Sequence, residues 1–255
     1  MKKIVLMYHD VYRQTDTESG FNQPSASFYK ISAEKFEEQV CFVHNYCKQN
    51  NMPLSDIEFT FDDGGESFFS VIAPILEKYE FKGVFFISTK YIGSQGFLTK
   101  TQIHELYLRG HVIASHSHSH PKNMSKLSMD ELIYEWGESI RTLRDITQAK
   151  IEVASIPSGF SSINVFKSAA QSGIKVLYTS EPTIKSIYRY NITTIGRYVV
   201  HRNTTLNSIS RLISNSSYRN LILIKYRLLG FAKKCLAGNY DRIKKNVISS
   251  RRSLS

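Results

Sequence analysis

The sequence predicts an α/β fold built on a mainly parallel sheet or barrel. Three observations carry this. Apolar runs of strand length alternate with helical patterns over roughly 180 residues. Glycines stand where two of the helical patterns stop. The polar residues with chemical capacity fall just past the ends of strand runs, where α/β folds collect their chemistry.

The strand runs lie at 3–8, 57–61, 83–87, 112–114, 151–156 and 175–179. Ser32-Ala-Glu-Lys starts the first helix with a capping signal and leads into Phe36, Val40, Val43 and Tyr46. A second helix fits 67–79, with Pro74 bending it or sitting in its first turn. A third fits 99–109 and is closed by Gly110. Ser128-Met-Asp-Glu caps a fourth, carrying Ile133, Trp136, Ile140 and Leu143. A fifth spans 164–172 and ends at Gly173. Between the first strand and first helix lies a long polar insertion, 10–29, which reads either as the wall of a cleft or as an ordinary loop.

The chain has 255 residues, 42% of them hydrophobic, enough for one large core with or without a small appendage. Three cysteines, odd in number and without CxxC spacing, argue for a reducing compartment and against a disulfide framework. The apolar run at 4–8 is too short for a signal-peptide core, and no stretch reaches the roughly 20 apolar residues of a membrane span. The expected location is the cytoplasm.

Charge is uneven. From Arg211 to Ser255 there are eleven basic residues opposed by Asp241 alone, so this end carries +10 of the formal +11. Apolar residues such as Leu221, Leu228 and Leu229 interleave with Lys225, Arg227, Lys233 and Lys234. The division expected is a body at 1–205 and a basic helical extension at 206–255. That extension reads as helices with a solvated basic face or as a peripheral contact with anionic membrane. No nucleic-acid recognition motif accompanies the charge, and no nucleic-acid partner is expected.

Two short segments carry the chemistry. Phe59-Thr-Phe-Asp-Asp-Gly-Gly65 ends a strand in adjacent carboxylates. One can hold a metal while its neighbour reaches a water on that metal. Ser115-His-Ser-His-Ser-His-Pro121 offers imidazoles at 116, 118 and 120. On a turn His116 and His120 converge at the i,i+4 chelating spacing and His118 diverges. A carboxylate with two imidazoles suits a divalent cation, zinc foremost, with cobalt, nickel and manganese also compatible.

These segments resemble the NodB-homology polysaccharide deacetylases, carbohydrate esterases of family four. The family's T-F-D-D-G motif stands as Thr60 to Gly64 and its H-[ST]-x-x-H motif as His116 to His120. The resemblance implies a distorted (β/α) barrel of the NodB type over roughly 3–200, followed by the helical extension. It implies that Asp62 is the catalytic base and that Asp63, His116 and His120 bind the metal. The family's third motif, R-x-P-[YFW]-G, is replaced by Ser155-Ile-Pro-Ser-Gly159, without the arginine that orients the base; Arg197 is a candidate substitute. The general-acid histidine ends an apolar strand. Val5-Leu-Met-Tyr-His9 matches that pattern better than Tyr198-Val-Val-His201, as in circularly permuted members of the family, so His9 is assigned the role. The implied activity is hydrolysis of an N-acetyl, or N-formyl, group on a sugar of a surface glycan or its lipid-linked precursor. The competing reading is a non-catalytic sugar-binding homologue, supported by the missing arginine and by the unsettled choice of acid between His9 and His201.

Overall fold

The computed structural model describes residues 3–235; the basic residues Arg242, Lys244, Lys245, Arg251 and Arg252 lie outside the described residues. The elements in chain order are β1 (Ile4–Tyr8), β2 (Val11–Tyr12), α1 (Pro24–Ser27), β3 (Ile31–Ser32), α2 (Ala33–Gln49), β4 (Ile57–Phe61), α3 (Ala73–Lys78), β5 (Gly83–Ile87), α4 (Lys100–Leu108), β6 (Val112–Ser115), α5 (Met129–Thr147), β7 (Val153–Ser155), α6 (Ile163–Gln171), β8 (Val176–Tyr178), β9 (Ile187–Arg189), β10 (Ile192–Ile195), β11 (Tyr198–Val199), α7 (Leu206–Ser214) and α8 (Ser216–Cys235).

The helices begin where the capping signals stand. Ser32 accepts from the Lys35 amide, and Thr99 with Gln102 and Ser128 with Glu131 form reciprocal capping boxes that satisfy otherwise orphaned N–H groups. Pro74 occupies the second position of α3, where its missing N–H is harmless, and the turn before it widens into a π-helix over Phe68–Ile72.

Nine strands form one sheet in the order β11-β1-β4-β5-β6-β7-β8-β10-β9, parallel throughout except for the β10–β9 pair. The sheet is strongly curled. The Tyr178 hydroxyl on β8 donates to Glu58 Oε1 on β4 at 2.6 Å. Four inter-strand steps separate these strands, which in a flat sheet would be ~19 Å. A distorted (β/α) barrel results, as expected from the sequence.

Side-chain alternation then sorts every strand into two faces. Phe59, Phe61 and Phe85 face outward with Tyr8 and pack under Phe36 of α2 and Phe68, forming the larger core. Val5, Val84, Phe86, Ala114 and Tyr178 fill the interior. That inward parity brings Ser155 at the end of β7 and, just past their strands, His9, Asp62 and His116 to the mouth of the barrel. The α7 helix packs Ile209, Leu212 and Ile213 into the larger core, and α8 follows it.

Candidate active site

Asp62 follows the inward parity of β4 directly. Asp63, one residue on, should face away. Its backbone is left-handed, φ +90°, and this turn brings its carboxylate back to the same mouth. Both acids therefore meet His116, whose Nε2 is 3.4 Å from Asp63 Oδ1 and 3.9 Å from Asp62 Oδ2. Gly64 carries the turn onward at φ +93°. Gly65 is needed for a different reason. A Cβ there would fall 1.8 Å from Asp10 Oδ1, because the buried Asp10 carboxylate occupies that space.

The histidine segment bends through left-handed Ser117 and His120. Ser117 Oγ accepts from the His120 amide at 3.2 Å. Glu135, on α5, takes the amides of His118 and Ser119 at 3.0 and 2.8 Å and the Ser119 hydroxyl at 2.6 Å. His120 Nε2 consequently lies 3.2 Å from Asp63 Oδ1. His118 points elsewhere, its Nδ1 3.0 Å from Thr89 Oγ1. Glu135 escaped the sequence reading, although a signal was present. It sits with Leu132, Trp136, Ser139 and Leu143 on the buried stripe of α5, where a carboxylate needs buried partners.

Asp63, His116 and His120 each offer a ligand atom, all within 4.8 Å of one another. Donors ~2.0–2.1 Å from one ion at tetrahedral angles stand about 3.3–3.4 Å apart, close to the 3.4 and 3.2 Å separations here. Ser155 Oγ donates to Asp62 Oδ1 at 3.4 Å, so His116 Nδ1 donates to Ser155 Oγ at 2.6 Å. His116 Nε2 then faces Asp63, and a bound cation would take the place of the proton between them. The residues fit a divalent cation.

Arg197 settles the position of Asp62. It lies between β10 and β11, is fully buried, and crosses the barrel interior over the Phe86 ring. Its Nη1 and Nη2 donate to Asp62 Oδ1 and Oδ2 at 2.6 and 2.8 Å, and Nη1 also reaches Thr60 Oγ1 at 3.3 Å. Burial alone would raise the Asp62 pKa, but Arg197 and then His116 reverse this and hold it below the usual value. Asp63 is likewise buried, and hydrogen bonds from His116 and His120 hold it well below the carboxylate range. Burial opposes charge on His120, yet Asp63 more than offsets it and its pKa stands raised.

His9 packs its ring 4.7 Å from Tyr29. Burial pushes its pKa down, while Asp63 and Asp62 are close enough to pull the other way. Among the described residues, His9 Nδ1 and Ser172 Oγ are the buried side-chain polar atoms without a hydrogen-bond partner. His201 lies outside this group. Its ring stacks on Phe28 at 4.5 Å, and burial and Lys35, rather than the site carboxylates, lower its pKa.

The 10–29 insertion is held by two buried anchors. Asp10 accepts from the hydroxyls of Ser19 and Ser67 at 2.6 and 2.9 Å. Lys30 Nζ donates to the Asp16 and Ser19 carbonyls at 2.7 and 2.5 Å. So fixed, the segment lines the mouth, with Phe21 5.1 Å from the His120 ring and Tyr29 beside His9.

A profile of the polysaccharide deacetylase family matches residues 49–177, just over half the chain. The polysaccharide-deacetylase-like protein YxkH of Bacillus subtilis (strain 168) is 24% identical over 212 residues, covering 78% of this chain and 69% of that protein. The poly-beta-1,6-N-acetyl-D-glucosamine N-deacetylase of Staphylococcus aureus (strain NCTC 8325 / PS 47) is 26% identical over 124 residues, 41% of this chain and 42% of that enzyme. Among solved structures, the Streptococcus pyogenes deacetylase PplD in complex with acetate superposes with a TM-score of 0.67 at 21% identity, covering 84% of this chain and 99% of that one. A de-N-acetylase from Aggregatibacter actinomycetemcomitans gives 0.65 at 20%, covering 82% and 99%. At these identities the structural likeness carries the barrel fold, while the profile spans both carboxylates, the histidine segment and Ser155. This chain belongs to the polysaccharide deacetylase family.

Proposed function

We propose that this chain is a metal-dependent N-deacetylase acting on an N-acetylated sugar of a surface glycan or its lipid-linked precursor. The observation that carries the reading is the two-pronged Arg197–Asp62 pair beside the Asp63, His116 and His120 donors. A non-catalytic homologue drew support from the missing third-motif arginine and from the choice between two candidate acids; the Arg197–Asp62 pair weighs against the first, and the acid is tested by variants at His9 and His201.

A divalent cation held by Asp63, His116 and His120 would supply Lewis acidity toward the amide carbonyl and ease ionisation of the attacking water. The remaining steps belong to side chains of the chain itself. Asp62, ionised and fixed by Arg197, accepts the proton of the water as its oxygen bonds to the carbonyl carbon. The C–N bond then breaks, acetate leaves, and His9 gives a proton to the departing amine. Burial lowers the His9 pKa, so its proton is readily given up, while Asp63 and Asp62 favour the charged form that carries it. Asp62 then passes its proton to His9, and both groups return to their starting states.

Acetate release from N-acetylglucosamine oligomers tests the proposal. Activity should appear with zinc or cobalt, vanish with a chelator, and return on adding metal. Metal-loaded, folded protein that releases no acetate from N-acetylglucosamine or N-acetylgalactosamine oligomers would overturn it.

A further inference from the structure

The α8 helix leans on the barrel along one side and leaves another side open. Tyr218 and Ile222 pack against the larger core, and Arg219 Nη1 donates to the Leu212 and Ile213 carbonyls at the end of α7. Away from that contact, Leu221, Ile224 and Leu228 are 60%, 55% and 65% exposed. Their spacing of three and four residues keeps them within an arc of about 60° on the helix surface. Lys225 borders that stripe about 40° to one side and Arg227 about 60° to the other. The helix sequence holds five basic residues, Arg219, Lys225, Arg227, Lys233 and Lys234, and no acid. Arg227 is partly matched by Glu181, 2.9 Å away, so the excess remains positive.

An exposed apolar stripe edged by cations selects among partners. A second copy of this chain would bring two positive helices together, which Coulomb repulsion opposes. A nucleic acid would engage the cations but leave the leucines and isoleucine in water. An anionic lipid surface satisfies both, since acyl chains take the apolar stripe and headgroup phosphates face its basic edges. The helix would lie on such a surface, as no helix among the described residues is long and apolar enough to cross a membrane.

We propose that α8 is an interfacial helix that docks this protein on anionic membrane, inserting Leu221, Ile224 and Leu228 with Lys225 and Arg227 at phosphate level. The inference stands apart from the reaction assigned to the barrel. The full chain should co-float with vesicles of phosphatidylcholine and phosphatidylglycerol at low salt, and ~10-fold less with phosphatidylcholine alone. The triple variant Leu221→Gln, Ile224→Gln, Leu228→Gln should bind the anionic vesicles ~10-fold or more weakly. Its melting temperature should be unchanged, because the three side chains are exposed. No flotation of the wild type at low salt overturns the proposal. Equal binding by the triple variant also overturns it, since charge alone would then be responsible. A concentration-dependent dimer abolished by the triple variant, without vesicle binding, would assign the stripe to a second copy instead.

Discussion

Arg197 grips both oxygens of Asp62, at 2.6 and 2.8 Å, from the turn between β10 and β11. Both side chains are buried, Arg197 fully and Asp62 to 4% exposure. Removing one partner strands a buried charge, which typically costs about 3–5 kcal/mol. Arg197→Met should therefore unfold at markedly lower urea, while Arg197→Lys keeps a charge but loses the fork.

The same pair makes a pH prediction. With Arg197 present the Asp62 pKa is depressed, so its contribution to stability is present above the unfolded value and lost as pH falls through the folded one. In Arg197→Met, burial takes over and the pKa rises. The acid limb of the kcat/KM profile should then move to higher pH. An unmoved limb would mean that Arg197 serves packing alone.

Base and ligands should separate experimentally. Asp62→Asn should hold zinc at near wild-type stoichiometry and slow acetate release by ~10²–10⁴-fold. Asp63→Ala and His116→Ala should lose bound zinc first, read by metal analysis of the purified variants.

The two candidate acids also divide. His9→Ala should lower kcat by ~10²-fold or more, whereas His201→Ala, stacked on Phe28 away from the carboxylates, should stay near wild type. The reverse result would move the acid to His201.

Glu135 acts at one remove from the metal site by holding the amides of His118 and Ser119. Glu135→Gln should weaken zinc binding by ~10–100-fold. Activity should recover at saturating zinc, which a simple loss of folding would not allow.

Asp10 supplies a stability test. Burial raises its pKa to about 6, against an ordinary value of 3.8. Between these values the folded state keeps a proton that the unfolded state has released. The Asp10 contribution to stability therefore declines as pH rises through that window, by an amount on the order of 3 kcal/mol. Asp10→Asn should flatten this slope in melting temperatures measured from pH 4 to 7.

Much of this architecture could be read from the chain directly. The strands at Ile57–Phe61 and Gly83–Ile87 matched the predicted runs, and Ser32, Thr99 and Ser128 marked helix starts. These are local signals, set by alternation and by the needs of the first helical turn. The strands β9 and β10 passed unnoticed, and β11 stood out only as a weaker match to the acid motif. They have two to four residues each, too few to display a period.

The sequence by itself determined which groups were available: two adjacent carboxylates at a strand end and a histidine repeat on a turn, because strand parity and turn spacing are short-range properties. The tertiary structure decided how they are held. Ser155 stands where the family's arginine would be and orients His116, and Arg197 reaches Asp62 across 135 positions of sequence. Glu135 ties α5 to the histidine segment. These contacts join elements far apart in sequence, β6 with β7, α5 with the histidine segment and the β10–β11 turn with Asp62, and no local period encodes which elements become neighbours.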